Sequence, residues 1–163
     1  MRYRVFLALL VVAGCEHPAK TDTQRGSDSP TPTPAVAPAN GPKVVITTPS
    51  GDITVNVEVV STDAKIERGL MYRQAMALDV GMLFLLPEIK DWTFWMRNTL
   101  IPLDMIFIRD NMTIAGIVEN AEPKTETLRT VGEPSHYVLE VNGGWTKAHG
   151  VTKDEKVRFA NLQ

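Results

Sequence analysis

The chain has 163 residues, of which 44% are hydrophobic, and its 17 Lys and Arg against 19 Asp and Glu give a formal net charge of −2. This weakly acidic balance argues against a nucleic-acid-binding protein, because neutralising phosphates needs clustered Lys and Arg. The chain has one cysteine, Cys15, which excludes an internal disulfide and a cysteine-rich metal site.

The first residues follow the order of an export signal. Two arginines precede the apolar run Val5–Val12, which is too short for a membrane-spanning helix of about 20 residues. Small residues then lead to Cys15, and this order resembles the lipobox of bacterial lipoproteins. The resemblance implies that residues 1–14 are a removed signal peptide and that Cys15 carries more than one acyl chain. The alternatives are an ordinary signal peptide with an incidental cysteine, or a short buried helix.

Residues 15–42 are rich in Pro, Thr and Ser. Such a segment buries too little apolar surface to offset the entropy lost on ordering, and its prolines favour extended backbone. We expect a lipidated, disordered tether that holds residues 43–163, a single β-rich domain, off a membrane. The domain would be exported and face the periplasm or the cell exterior. The sequence does not distinguish the inner from the outer membrane.

The domain begins with a predicted hairpin and one predicted helix. The β-branched run Lys43–Thr48 and the alternating run Ile53–Val59 are separated by turn residues. A helix is expected to begin near Asp63, after the capping residues Ser and Thr, and to extend to about Leu70. Gly69 is a residue at which this helix can end early.

Short apolar runs separated by turn residues follow. They predict further strands over Gly81–Leu86, Thr93–Met96, Leu103–Ile108, Thr113–Val118, Tyr137–Val141 and Lys156–Phe159, with the first ending at Pro87. Many short strands and one short helix predict a mainly β fold, a compact antiparallel sandwich or barrel of jelly-roll-like form.

Several phrases in this region resemble one known family. They are Arg68–Arg73, Gly81–Phe84, the long phrase Phe94–Asp104, Tyr137–Glu140 and the pair Gly143–Gly144. In this order they closely resemble the family called domain of unknown function 192 (DUF192), and the match covers nearly all of the domain. The resemblance implies a compact, β-rich, often exported domain and no established reaction, substrate or cofactor.

Asp104 is the most informative polar residue, because it lies in a run that is apolar on both faces. A carboxylate there must be paired, hydrogen-bonded or protonated. We expect an arginine beside it, with Arg73 as the first choice, Arg97 as the second and Arg68 also available. The group is then either a structural clasp, made to an arginine or to backbone N–H groups, or part of a ligand-facing polar pocket.

The other candidate residues also have one structural and one ligand-binding interpretation. Asn98 and Thr99 follow the aromatic run, where they are either turn residues or ligand contacts. Glu140 is interpreted first as an outward-facing residue of a half-exposed strand and second as a site acid. Trp95 belongs to core and rim packing or, with the other tryptophans, to a sugar-stacking platform. The candidate ligand-binding residues are therefore Arg68, Arg73, Trp95, Asn98, Thr99, Asp104 and Glu140.

Three functions remain open. The favoured one is a non-enzymatic binding or accessory module of the cell envelope, with a polar-aromatic cleft for a glycan, peptide or protein. The others are a hydrolase that uses Asp104 or Glu140 and a structural partner of another envelope protein. The first is favoured because the sequence has no Gly-x-Ser-x-Gly nucleophile motif and no Gly-rich phosphate loop. No metal, no cofactor and no nucleic acid are expected.

Overall fold

The computed structural model describes residues 40–162. The proposed signal peptide, Cys15 and nearly all of the tether lie outside the described residues. Within residues 40–162 no helix is both long enough and apolar enough to cross a membrane.

Seven strands form one sheet in this part of the chain. In chain order the elements are β1 (Lys43–Thr48), β2 (Gly51–Val60), α1 (Asp63–Arg68), β3 (Val80–Lys90), β4 (Leu103–Ile108), β5 (Ile114–Ala121), β6 (Ser135–Asn142), α2 (Trp145–His149) and β7 (Lys156–Ala160). The strand order in the sheet is β5-β4-β6-β3-β2-β1-β7. Strands β2 and β3 are parallel and the other neighbours are antiparallel.

The sheet curls until its two edge regions meet. Thr113, just before β5, forms a bridge with Lys156 of β7. The N–H of Ile114 donates to the carbonyl of Glu155 at 3.0 Å, and the N–H of Val157 donates to the carbonyl of Met112 at 2.9 Å. These contacts give a curled half-barrel, so the predicted mainly β fold is confirmed.

Two apolar clusters cover opposite faces of this sheet. The interior cluster includes Ile46, Leu83, Ile106, Leu139 and Val157. The second cluster, which we call the loop-covered cluster, lies under the segments between strands and includes Leu70, Phe84, Met96, Met105 and Val138. All six residues of β4 are buried, which confirms that this strand is covered on both faces.

One predicted strand end and one predicted strand were wrong. Strand β3 does not stop before Pro87 but runs to Lys90, with a shift in pairing between Leu85 and Lys90. Proline is tolerated there because the unpaired stretch needs no backbone N–H. The run Thr93–Met96 is not a strand of the sheet. It makes only an isolated bridge from Phe94 to Arg129, because it crosses the loop-covered cluster instead of joining an edge.

The prediction of a single helix was also wrong. Helix α1 begins where expected but ends at Arg68, since Gly69 has a φ of 44° and turns the chain. A second helix, α2, has five residues between Gly144 and Gly150. A helix this short has no apolar periodicity that the sequence could display.

Candidate functional site

The loop-covered cluster leaves a half-enclosed cavity of about 310 Å³. Its lining comes from helix α1 and the turn after it, from the segment between β3 and β4, and from single residues of β3, β6 and the loop before β6. The lining residues are Ile66, Glu67, Arg68, Gly69, Leu70, Met71, Phe84, Trp92, Thr93, Phe94, Trp95, Thr99, Leu128 and Glu140. Most of this surface is apolar.

The aromatic residues of this cavity are held in place by neighbouring groups. The rings of Phe84 and Phe94 meet edge to face at 5.4 Å between centroids, a favourable arrangement of aromatic quadrupoles. Lys90 lies 4.0 Å from the ring centroid of Trp92, and the Arg97 guanidinium lies 4.1 Å from that of Trp95. These contacts fix the aromatic wall before any ligand arrives.

Glu140 is the polar residue at the base of the cavity. It lies on β6, opposite Met82 of β3 and Met105 of β4, and only 4% of its surface is exposed. Its carboxyl group makes no hydrogen bond to any residue from 40 to 162. Burial raises the pKa of Glu140 to about 8, because the charged form is poorly solvated there. The free protein therefore holds this carboxyl largely protonated at neutral pH.

The carboxyl group of Glu140 is in contact with the cavity. Among the described side chains, Ser135 Oγ is the one polar atom that is both sealed from solvent and without a hydrogen-bond partner. The Glu140 oxygens also lack a partner but are not sealed, and the accessible space beside Glu140 is the cavity. The expectation of an outward-facing Glu140 was wrong, because β6 is a central strand and loops cover the face that a half-exposed strand would show to solvent.

Asp104 lies on the other face of the sheet and is fully buried. Its Oδ1 accepts hydrogen bonds from the N–H groups of Asn120 at 2.7 Å and Gly144 at 2.9 Å. Its Oδ2 accepts from the N–H and the hydroxyl of Thr146 at 2.8 and 2.6 Å. The carboxylate thus caps the start of α2, where helix N–H groups are unpaired and favour a negative charge.

Two glycines let the backbone reach this carboxylate. A Cβ added to Gly143 would lie 2.6 Å from Asn120 Oδ1 and 2.9 Å from Pro102 Cβ, which leaves no room for a side chain. Gly144 has a φ of 82°, in the left-handed region that favours glycine. Of the two interpretations of Asp104, the geometry fits a clasp made to backbone N–H groups.

The expected arginine beside Asp104 was wrong. Arg73 instead forms a two-pronged ion pair with Glu58, with nitrogen-to-oxygen distances of 2.5 and 2.9 Å. Arg97 pairs with Glu126 at 2.8 Å. Backbone N–H groups satisfy a buried carboxylate without the cost of burying an arginine as well.

Four of the seven candidate residues line the cavity, namely Arg68, Trp95, Thr99 and Glu140. Arg73, Asn98 and Asp104 do not. Asn98 is exposed, with a φ of 57°, and its carbonyl accepts the N–H of Tyr72 at 2.8 Å, which fits the turn interpretation. Sequence reasoning did not place Phe84, Phe94 and Leu128 at the site.

The two carboxyl groups proposed for a hydrolase are not a pair. Glu140 is opposite Met105 in the sheet, whereas Asp104 is opposite Val141, so their side chains point to opposite faces. They cannot act together on one bond.

Comparison with known proteins places these features in a family. The model of the family DUF192, described as "Uncharacterized ACR", matches residues 45–159. No curated protein matches this chain. A crystal structure from Sinorhizobium meliloti, of a protein provisionally described as a transcription regulator, is 40% identical with a TM-score of 0.71. It covers 78% of this chain and 99% of its own.

A second crystal structure is of a protein of unknown function from Novosphingobium aromaticivorans. It is 38% identical with a TM-score of 0.70, and it covers 77% of this chain and 92% of its own. The match of the family model over most of the chain shows that the protein belongs to the DUF192 family.

Proposed function

We propose that this protein is an exported, lipid-anchored binding module of the cell envelope and that the cavity above Glu140 is its ligand site. The observation that carries the proposal is a buried carboxyl group that the fold leaves without a hydrogen bond beside an accessible cavity. A buried polar group without a partner costs free energy, and a ligand that supplies the partner recovers it.

The size of the cavity supports a small ligand. Small-molecule sites enclose about 300–1,000 Å³, and 310 Å³ is at the lower end of that range. The cavity suits a small molecule, or one unit of a larger glycan or peptide whose remainder stays outside. The mostly apolar lining with one polar group at the base is typical of such sites, where the polar group sets the orientation.

A thermal-shift screen of small molecules on the purified protein tests this proposal. A compound that binds the folded state raises the melting temperature by mass action. We expect hits whose affinity falls by about 3- to 10-fold in Leu128→Ala, which removes apolar contact area at the cavity. Leu78→Ala is the matched control, since Leu78 is 77% exposed and does not line the cavity. If the affinity of the hits is unchanged in both variants, the compounds bind outside the cavity.

The proposed anchor leads to a separate prediction. Cys15→Ser should abolish acylation, because the hydroxyl cannot replace the thiol that accepts the lipid. We expect the wild type to partition into the detergent phase and the variant to remain unprocessed or to partition into the aqueous phase. Mass spectrometry of the mature N-terminus gives the second readout. A variant with unchanged mature mass that still enters the detergent phase would contradict the anchor.

A further inference from the structure

The walls of the cavity are suited to a positive charge. Four aromatic residues, Phe84, Trp92, Phe94 and Trp95, line it. The face of an aromatic ring carries partial negative charge and attracts a cation within about 6 Å of its centre. The rings of Trp92 and Trp95 already make such cation–π contacts with Lys90 and Arg97 of the protein itself.

The base of the cavity supplies a counter-charge. Glu140 is 4% exposed and has no partner in the described part of the chain, so its carboxylate is free to pair with a ligand. In a poorly solvated site a charge pair is much stronger than in water. An anionic ligand would need a cation or N–H donors at the same depth, whereas the cavity has a carboxyl group there.

The remaining charges near the cavity do not reverse this preference. Glu67 and Arg68, both from α1, are the other charged residues among those lining it, and both are exposed. Their opposite charges offset each other, and exposed charges are screened by salt. The strands beside Glu140 contribute Met82 and Met105, which carry no charge. Two cations of the protein, Lys90 and Arg97, lie against the rings of Trp92 and Trp95, but neither is among the lining residues. Each is paired with an acid, Lys90 with Glu88 at 2.6 Å and Arg97 with Glu126 at 2.8 Å, so their charges are offset.

From this combination we propose that the cavity binds a compact organic cation, an ammonium or quaternary ammonium group, between its aromatic residues and the carboxylate of Glu140. The inference rests on the proposed function, because it names the ligand class of the same site. Neutral apolar molecules fit the walls equally well but leave the carboxyl group unused.

Binding of a cation should be linked to loss of the Glu140 proton. In the free protein this carboxyl is largely protonated at neutral pH, as burial raises its pKa to about 8. A bound cation favours the carboxylate, so binding releases a proton. The affinity should therefore rise by up to about tenfold per pH unit between pH 6 and 8 and level off above pH 8.

Calorimetric titration with choline and with 3,3-dimethylbutan-1-ol, its neutral isostere, tests the proposal on the purified protein. At pH 8.5 choline should bind about tenfold or more tightly than the neutral alcohol. Glu140→Gln should remove this preference and the pH dependence of choline binding. Glu119→Gln, which changes an exposed acid that does not line the cavity, should preserve both. The charge of choline does not change over this pH range, so the pH dependence reports on the protein.

The outcomes separate this proposal from the proposed function. If the neutral alcohol binds as tightly as choline and both lose affinity in Leu128→Ala, the ligand class is wrong and the binding site stands. If choline does not bind at all, or binds independently of Glu140, the proposal is overturned. The wider thermal-shift screen then decides the proposed function by itself.

Discussion

Glu140→Gln should be more stable than the wild type at pH 8, by about 3 to 4 kcal/mol in the free energy of unfolding. Burial raises the pKa of Glu140 from its ordinary value of 4.5 to about 8. Between these values the unfolded chain loses the Glu140 proton while the folded protein keeps it. The stability of the wild type therefore falls as the pH rises through this window. Glutamine has no proton to lose, although its buried amide offsets part of the gain.

Urea denaturation of both proteins at several pH values measures this difference. The two should differ by less than about 1 kcal/mol at pH 4, where Glu140 is protonated in both states, and the gap should open between pH 5 and 8. Glu119→Gln is the matched control, since Glu119 is exposed. A wild-type protein as stable as Glu140→Gln at pH 8 would show that Glu140 is not held neutral by burial.

Asp104→Asn should lose about 3 to 5 kcal/mol of stability, because it removes a buried charge that four donors surround. An amide offers one oxygen where the carboxylate offers two. Its NH₂ group would face either the two donors of Thr146 or the N–H groups of Asn120 and Gly144. In either orientation the NH₂ group is a donor that would face two buried donors, which would lose their acceptor. The start of α2 would also lose its negatively charged cap.

Thr146→Val provides a graded comparison, since it removes the hydroxyl at 2.6 Å and leaves the three N–H donors to Asp104. It should cost less than Asp104→Asn in the same urea measurement. Because Asp104 lies on the face of the sheet opposite the cavity, the folded fraction of Asp104→Asn should bind ligand like the wild type. Loss of binding with unchanged stability would mean that Asp104 belongs to a site and is not a clasp.

The fold could be predicted from the sequence where strands alternate or are apolar throughout. The runs in β1, β2, β4 and β6 were correctly identified as strands, because their side-chain pattern directly reflects which faces are buried. The sequence could not reveal which strand is central. Strand β6 lies between β3 and β4 in the sheet, and neither of these strands is its neighbour in the chain. This pairing therefore comes from tertiary packing.

Because tertiary packing is not visible in the sequence, the arginine expected beside Asp104 and the outward-facing position expected for Glu140 were both wrong. A polar residue within an apolar strand, such as Asp104 or Glu140, is visible in the sequence, but its partner is not. The partners of Asp104 are three backbone N–H groups and the hydroxyl of Thr146, up to 42 residues away. Backbone donors leave no trace in residue type apart from the glycines, and a single threonine so far along the chain is not a recognisable signal. The burial of Glu140 depends on loops that cross the sheet, and no local pattern encodes that crossing.

The methionine methyl groups offer a direct test of the central claim, that the cavity above Glu140 is the ligand site. Met71 lines the cavity, Met82 and Met105 lie opposite Glu140 on the neighbouring strands, and Met112 packs against the interior cluster. In a ¹³C-methyl NMR titration with the tightest-binding compound of the screen, the signals of Met71, Met82 and Met105 should move together while that of Met112 stays in place. Shifts at Met112 without shifts at those three residues would place the ligand on the wrong side of the sheet and contradict the claim.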